Sequence, residues 1–181
     1  TCGVSGGALD RLEVRVVGGN VSYVKNGVVL STSAAPATFP LKVDTSIYTG
    51  TVEDVVIYTT VSLSDSMAWV NPVGVSFTSN SLTKTGTTSE WDAGAISTRE
   101  IWSNEFVPQG ISFQCATALQ ALGGLGNTDS GQSYNDVSFA MFCNNGYVFV
   151  LESGVIIGNQ GPYTADDVLE VRVVGDLVSY V

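Results

Sequence analysis

The chain has 181 residues, 44% of them hydrophobic, which is material for one well-packed domain around a single core. Its 7 Lys and Arg stand against 17 Asp and Glu with no His, a formal net charge of −10 that repels phosphate backbones and sets nucleic acid aside as a partner. The longest wholly apolar runs, such as YVFVL at 147–151, fall far short of the ~20 residues a spanning helix needs, so helical membrane insertion is not expected.

Residues 1–9, TCGVSGGAL, read as a Gly-rich lead. From residue 10 onward, short runs of alternating apolar and polar residues are separated by Gly, Asn, Asp and Ser clusters, the period of strands. LEVRVV, GGN, VSYV, KNG and VVLS in succession predict two tight hairpins, with Asn26 and Gly27 in the second turn, where positive φ is wanted. Asn20-Val21-Ser22 is a glycosylation sequon in the first of these turns, which makes Asn20 a candidate N-glycosylation site. STSAAPAT at 31–38 suits an exposed loop or O-linked sugar. Further strands are expected near 40–44, 53–60, 68–78, 93–98 and 110–116, with Trp69 on the core side of its strand. SEWDAGA at 89–95 and ALGGLGNTDSGQ at 121–132 read as long loops, the second because it crowds four glycines. CATALQAL at 115–122 allows at most one helical turn. SFAMFC, NNG, YVFVLE, SG and VIIG then repeat the double-hairpin scheme at 138–158. The expected fold class is all-β, an antiparallel two-sheet jelly-roll sandwich.

The passage DRLEVRVVGGNVSYV at 10–24 returns as DVLEVRVVGDLVSYV at 167–181, identical at 12 of 15 positions with an offset of 157 residues. Self-similarity at a fixed, domain-sized spacing signals tandem repetition.

SLTKTGTTSEWDAGAIST at 81–98, QSYNDVSFAMFCNNGYVFVLESGVIIGNQGPYTADDVLEVRVVG at 132–175 and VSYVKNGVVLSTSAAPATFPLKVDTSIYTGT at 21–51 together resemble a concanavalin A-like, lectin/glucanase-type jelly-roll repeat of large secreted or surface proteins, here in permuted or window-cut order. The resemblance implies that residues 10–58 are the C-terminal third of one repeat, a donor segment, and that 59–181 are a repeat lacking that third. The missing arm would come from this chain's own front or from a neighbour. Both copies of the repeated strand would compete for one position in the sheet, a conflict that closure between molecules avoids. The residues expected to carry such assembly are Leu12, Val14, Val16, Val21, Tyr23, Val171, Val173 and Tyr180. The expected function is a structural repeat or subunit of an extracellular fibre, coat or surface assembly, with other copies or adjacent repeats as head-to-tail partners. The alternative is a glycan-binding adhesion module with carbohydrate as partner. The expected location is extracellular or at the cell surface, an outer virion surface included.

Catalysis is not expected. A sugar hydrolase needs two carboxylates flanking the scissile bond, and neither Glu100 with Glu105 nor Glu90 with Asp92 has a suitable spacing and setting. The absence of His removes Ser-His-Asp triads and histidine-ligated zinc. No cofactor or metal is expected, save that the oxygen donors Asn127, Asp129 and Asp136 in NTDSGQSYND admit calcium near Asp129. For sugar, Trp91 and Tyr134 with Asn135 and Asp136 offer a platform and polar groups. Three cysteines cannot all pair within one chain. A simple hairpin sets residue 110 opposite 143, which puts Cys115 and Cys143 at opposite ends and leaves Cys2 as a candidate for an intermolecular disulfide.

Overall fold

The structure is a computed structural model that describes residues 12–25, 28–35, 37–58, 67–102, 109–115, 120–165, 167–175 and 178–180. Cys2, the lead 1–9, the Asn26-Gly27 turn and Glu105 lie outside the described residues. So do the side chains of 12–25, those of Leu12, Val14, Val16, Asn20, Val21 and Tyr23 among them, whose backbone alone is described.

All regular structure among the described residues is strand. In chain order these are β1 (Leu12–Lys25), β2 (Val28–Thr32), β3 (Leu41–Thr49), β4 (Thr51–Tyr58), β5 (Trp69–Val73), β6 (Val75–Phe77), β7 (Leu82–Lys84) and β8 (Gly94–Ile101). They continue with β9 (Gln109–Cys115), β10 (Gln120–Gly126), β11 (Phe139–Asn144), β12 (Tyr147–Glu152), β13 (Val155–Pro162), β14 (Val168–Gly175) and β15 (Ser179–Tyr180). They form an eight-stranded sheet, β2-β1-β15-β14-β9-β4-β7-β6, and a seven-stranded sheet, β13-β12-β11-β10-β3-β8-β5. Pairing is antiparallel except where β1 lies along β14 and β15. One core fills the space between the sheets: Leu41, Val43, Ile47, Ala121 and Met141 from one side meet Val52, Ile57, Ile111, Phe113, Leu169 and Val171 from the other. Trp69, 8% exposed, belongs to it as expected. This is the all-β two-sheet sandwich that the alternation implied.

The hairpins at 138–158 are present, turning at Asn145-Gly146 and at Ser153-Gly154, each with positive φ at both residues. Two expectations fail, for related reasons. Residues 121–126 are not loop but the greater part of β10, a central strand between β11 and β3. The glycines that suggested a loop are there for clearance. A Cβ on Gly123 would come within 2.9 Å of the Phe113 ring across the core, and one on Gly124 within 2.2 Å of the Phe139 carbonyl oxygen. Nor do the cysteines stand apart. Cys115 ends β9 in one sheet, Cys143 lies on β11 in the other, and they form a disulfide across the core with Cα atoms 6.4 Å apart. The hairpin register that separated them does not apply, because the two strands face one another instead of pairing edge to edge.

Segment 41–58 enters both layers. β3 lies between β10 and β8, and β4 between β9 and β7.

Candidate functional site

Two places gather the residues singled out by the sequence. The first is the position beside β9. β14 occupies it antiparallel, with Leu169 opposite Phe113, Glu170 opposite Ser112 and Val173 opposite Gln109. β15 folds back on β14, pairing Tyr180 with Val171 and Ser179 with Arg172. Alternation sends one face inward, so Leu169, Val171, Val173, Val178 and Tyr180 are all 0–1% exposed. The Tyr180 hydroxyl donates to the Leu151 carbonyl (3.2 Å) and to Glu152 Oε1 (2.9 Å), tying the hairpin to β12 of the opposite sheet. Burial raises the Glu152 carboxyl above its usual range, against a hydrogen bond from Ser33. Burial alone pushes the Tyr180 phenol well up. The Ser33 amide also donates to the Val178 carbonyl.

The first copy approaches the same position. β1 runs parallel to β14, Val14 beside Arg172, Val17 beside Val174, Gly18 beside Gly175. Its register then reverses, Gly19 again meeting Gly175 and Asn20 meeting Val174, so the chain doubles back at the expected Gly-Gly turn. Tyr23 comes beside Tyr180. Val17 with Val174, Gly18 with Gly175 and Tyr23 with Tyr180 are the same residues of the two copies. Val16 registers on Gln109, as its equivalent Val173 does. One stretch of β9 is thus claimed by both copies.

The second place is the outer face of the seven-stranded sheet, which loop 127–137 folds across. Ser46 Oγ donates to the Gln132 carbonyl at 2.7 Å, and a Cβ on Gly94 or Gly154 would strike Gln132 Oε1 or Asn135 Oδ1. Asp136 organises the loop. It accepts from the Ser130 amide and hydroxyl, from the Gly131 amide (2.9 Å) and from the Thr128 hydroxyl (3.4 Å). Burial works to raise its carboxyl, but these bonds outweigh it and hold the group below the usual range. On the other side, the Lys84 ammonium donates to Asp92 and to the Glu90 carbonyl, and the Lys84 hydrogen bond holds Asp92 ionised. An acid kept ionised in this way is a poor proton donor.

These two loops bring Trp91 and Tyr134 together, ring centroids 5.4 Å apart, as the glycan reading requires. Trp91 also packs on Tyr48 (5.3 Å) and Phe142 (5.4 Å), so much of its ring is engaged. What remains open is a notch of about 220 Å³ between Trp91, Tyr134, Gln120, Phe142, Leu151 and Ile156. Asn135 and Asp136 serve the loop: Asn135 Oδ1 sits over Gly154, and Asp136 accepts bonds from within it.

Beneath the loop lies a residue that the sequence reading passed over. Asp44 on β3 is 4% exposed, and its Oδ2 has no hydrogen-bond partner. Burial first, then the Asp136 and Asp129 carboxylates, push its carboxyl well above the usual range, opposed by the Thr45 amide. Its signal in the sequence was a carboxylate on the outward face of a strand otherwise fitted to a sheet centre. Among the described residues no three acidic or thiol side chains form a ready metal cage. Neither family models nor curated proteins nor solved structures yield a match to this chain.

Proposed function

We propose that this chain is a structural unit of an extracellular fibre, coat or surface assembly, joined head to tail to further copies or adjacent repeats by a hairpin of one unit completing the sheet of the next. The observation that carries this reading is the double claim on β9, where Val16 and Val173 register on the same Gln109. The side chains the second copy buries there are all repeated in the first: Leu169 as Leu12, Val171 as Val14, Val173 as Val16, Val178 as Val21 and Tyr180 as Tyr23. Offered to β9 of another unit, residues 10–24 would present the same apolar face and the same anchoring hydroxyl, which is recognition by strand addition. Such a contact is heterologous and propagates in line unless it closes a ring. The buried Cys115–Cys143 bond suits an oxidising compartment, and the two-sheet sandwich agrees with the likeness to concanavalin A-like surface repeats.

The test is the native mass of two variants. Val14→Lys puts an ammonium on the face of the incoming hairpin and leaves a unit's own hairpin intact, so this protein should run as a folded 18.9 kDa monomer. Val171→Lys spoils the chain's own hairpin and leaves the incoming one intact, so it should remain oligomeric. A wild type that is monomeric at all concentrations, or a Val14→Lys protein with wild-type mass, refutes the reading.

The notch at Trp91 and Tyr134 favours a second reading, a glycan-binding module, since aromatic faces take the apolar side of a sugar ring. Retention on an immobilised glycan, lost in Trp91→Ala at unchanged native mass, would distinguish it.

A further inference from the structure

Asp44 stands on the face of β3 opposite Leu41, Val43 and Ile47, roofed by loop 127–137. A buried carboxylate with one oxygen left without a partner is costly in such a place, and a cation is the simplest remedy. Among the described residues no side-chain cation supplies it: Lys42, two residues along the strand, is bridged to Glu100 at 3.5 Å.

The space beside Asp44 Oδ2 is shaped by Gly126. A Cβ there would lie 2.9 Å from Asp44 Oδ2 and 3.5 Å from the Thr128 carbonyl oxygen, so both oxygens border one small void that a side chain at 126 would fill. Asp129 follows Thr128, and its Oδ2 accepts from Asn71 Nδ2 at 2.6 Å, with Asn71 itself in the left-handed region at φ 51°. Carboxylates of Asp129 and Asp136 lie close enough to act on Asp44. Asp136 is already saturated by Ser130, Gly131 and Thr128, so it organises the loop and is not needed as a ligand.

We propose that this void is a calcium site, with Asp44 Oδ2, the Thr128 carbonyl and the Asp129 carboxylate as protein ligands and water completing the shell. All three donors are hard oxygens, and an irregular set drawn from a strand and a loop fits the loose coordination of calcium better than the strict octahedron of magnesium. The soft donors that transition metals favour are missing from the site. An ion here pins the loop that carries Tyr134 to the sheet that carries Asp44.

The experiment compares wild type, Asp44→Asn and Asp129→Asn, each stripped with EDTA, by thermal melting and by calorimetric titration with Ca²⁺ alone. Wild type should bind with measurable heat and melt ~4 °C higher at ~1 mM Ca²⁺. Both variants should lose that rise, and in EDTA Asp44→Asn should melt at or above wild type, because it removes a buried charge and keeps the shape. A wild type indifferent to Ca²⁺, an Asp44→Asn variant with the full response, or an equal response to Mg²⁺ would overturn the assignment. Should Asp129→Asn fail to fold, Asp44→Asn decides alone.

Discussion

Cys115 and Cys143 are 0–1% exposed and join sheets that share no edge, so their bond restrains the sandwich where hydrogen bonding cannot. With a sequence separation of 28, loop closure alone gives a stabilisation of about 3.5 kcal/mol. The double variant Cys115→Ala with Cys143→Ala should therefore lose roughly that much in urea unfolding. A loss under about 1 kcal/mol would mean the unfolded chain is already constrained in that region. The glycines of β10 act at the same scale in the opposite sense. Gly123 lets Phe113 lie flat against the strand, and Gly124 lets β11 approach. Neither fact can be read from sequence, where a Gly cluster means a turn, because the partner that demands the clearance lies on another strand.

The hairpin β14–β15 fills the position beside β9, and its seat is titratable. An unfolded tyrosine loses its proton near pH 10, whereas in the fold burial pushes Tyr163 up to about 12 and Tyr180 well above the usual value. Above pH 10 the folded state then holds more protons than the unfolded one, so stability is fully present below that pH and falls as the pH rises. Urea midpoints should be flat from pH 8 to about 10 and decline beyond it. Tyr180→Phe should start lower, having lost its bonds to Leu151 and Glu152, and decline less steeply, by up to ~1.4 kcal/mol per pH unit. Equal slopes would place the phenol in water. Much of this element was legible. Alternation in LEVRVV and VSYV marked the strands and their inward Val and Tyr, and the Gly18-Gly19 turn is where β1 reverses. What hid the outer face was loop 127–137. Its Asp, Asn and Ser residues read as a solvated turn, but Asp136 binds the loop to itself and Ser46 docks it onto the sheet, which is a property of the fold and not of the segment.

For the whole molecule the governing number is the net charge of −10. Copies of a chain so charged repel one another, while β13 presents Val155, Ile156 and Ile157, 63%, 56% and 50% exposed, on an edge strand of its sheet. Charge is the usual protection for such an edge. Salt weakens that protection and would favour the proposed hairpin joint too, since the Debye length falls from about 30 Å at 0.01 M to about 8 Å at 0.15 M. The mass measured by light scattering should therefore rise with NaCl. Two variants separate the causes. Val14→Lys should remove the growth that occurs at low protein concentration, and Ile157→Lys should leave that growth and suppress only association through the edge. A mass that falls with salt in wild type would instead assign the joint to ion pairs between units, because attraction between opposite charges is what added salt screens away.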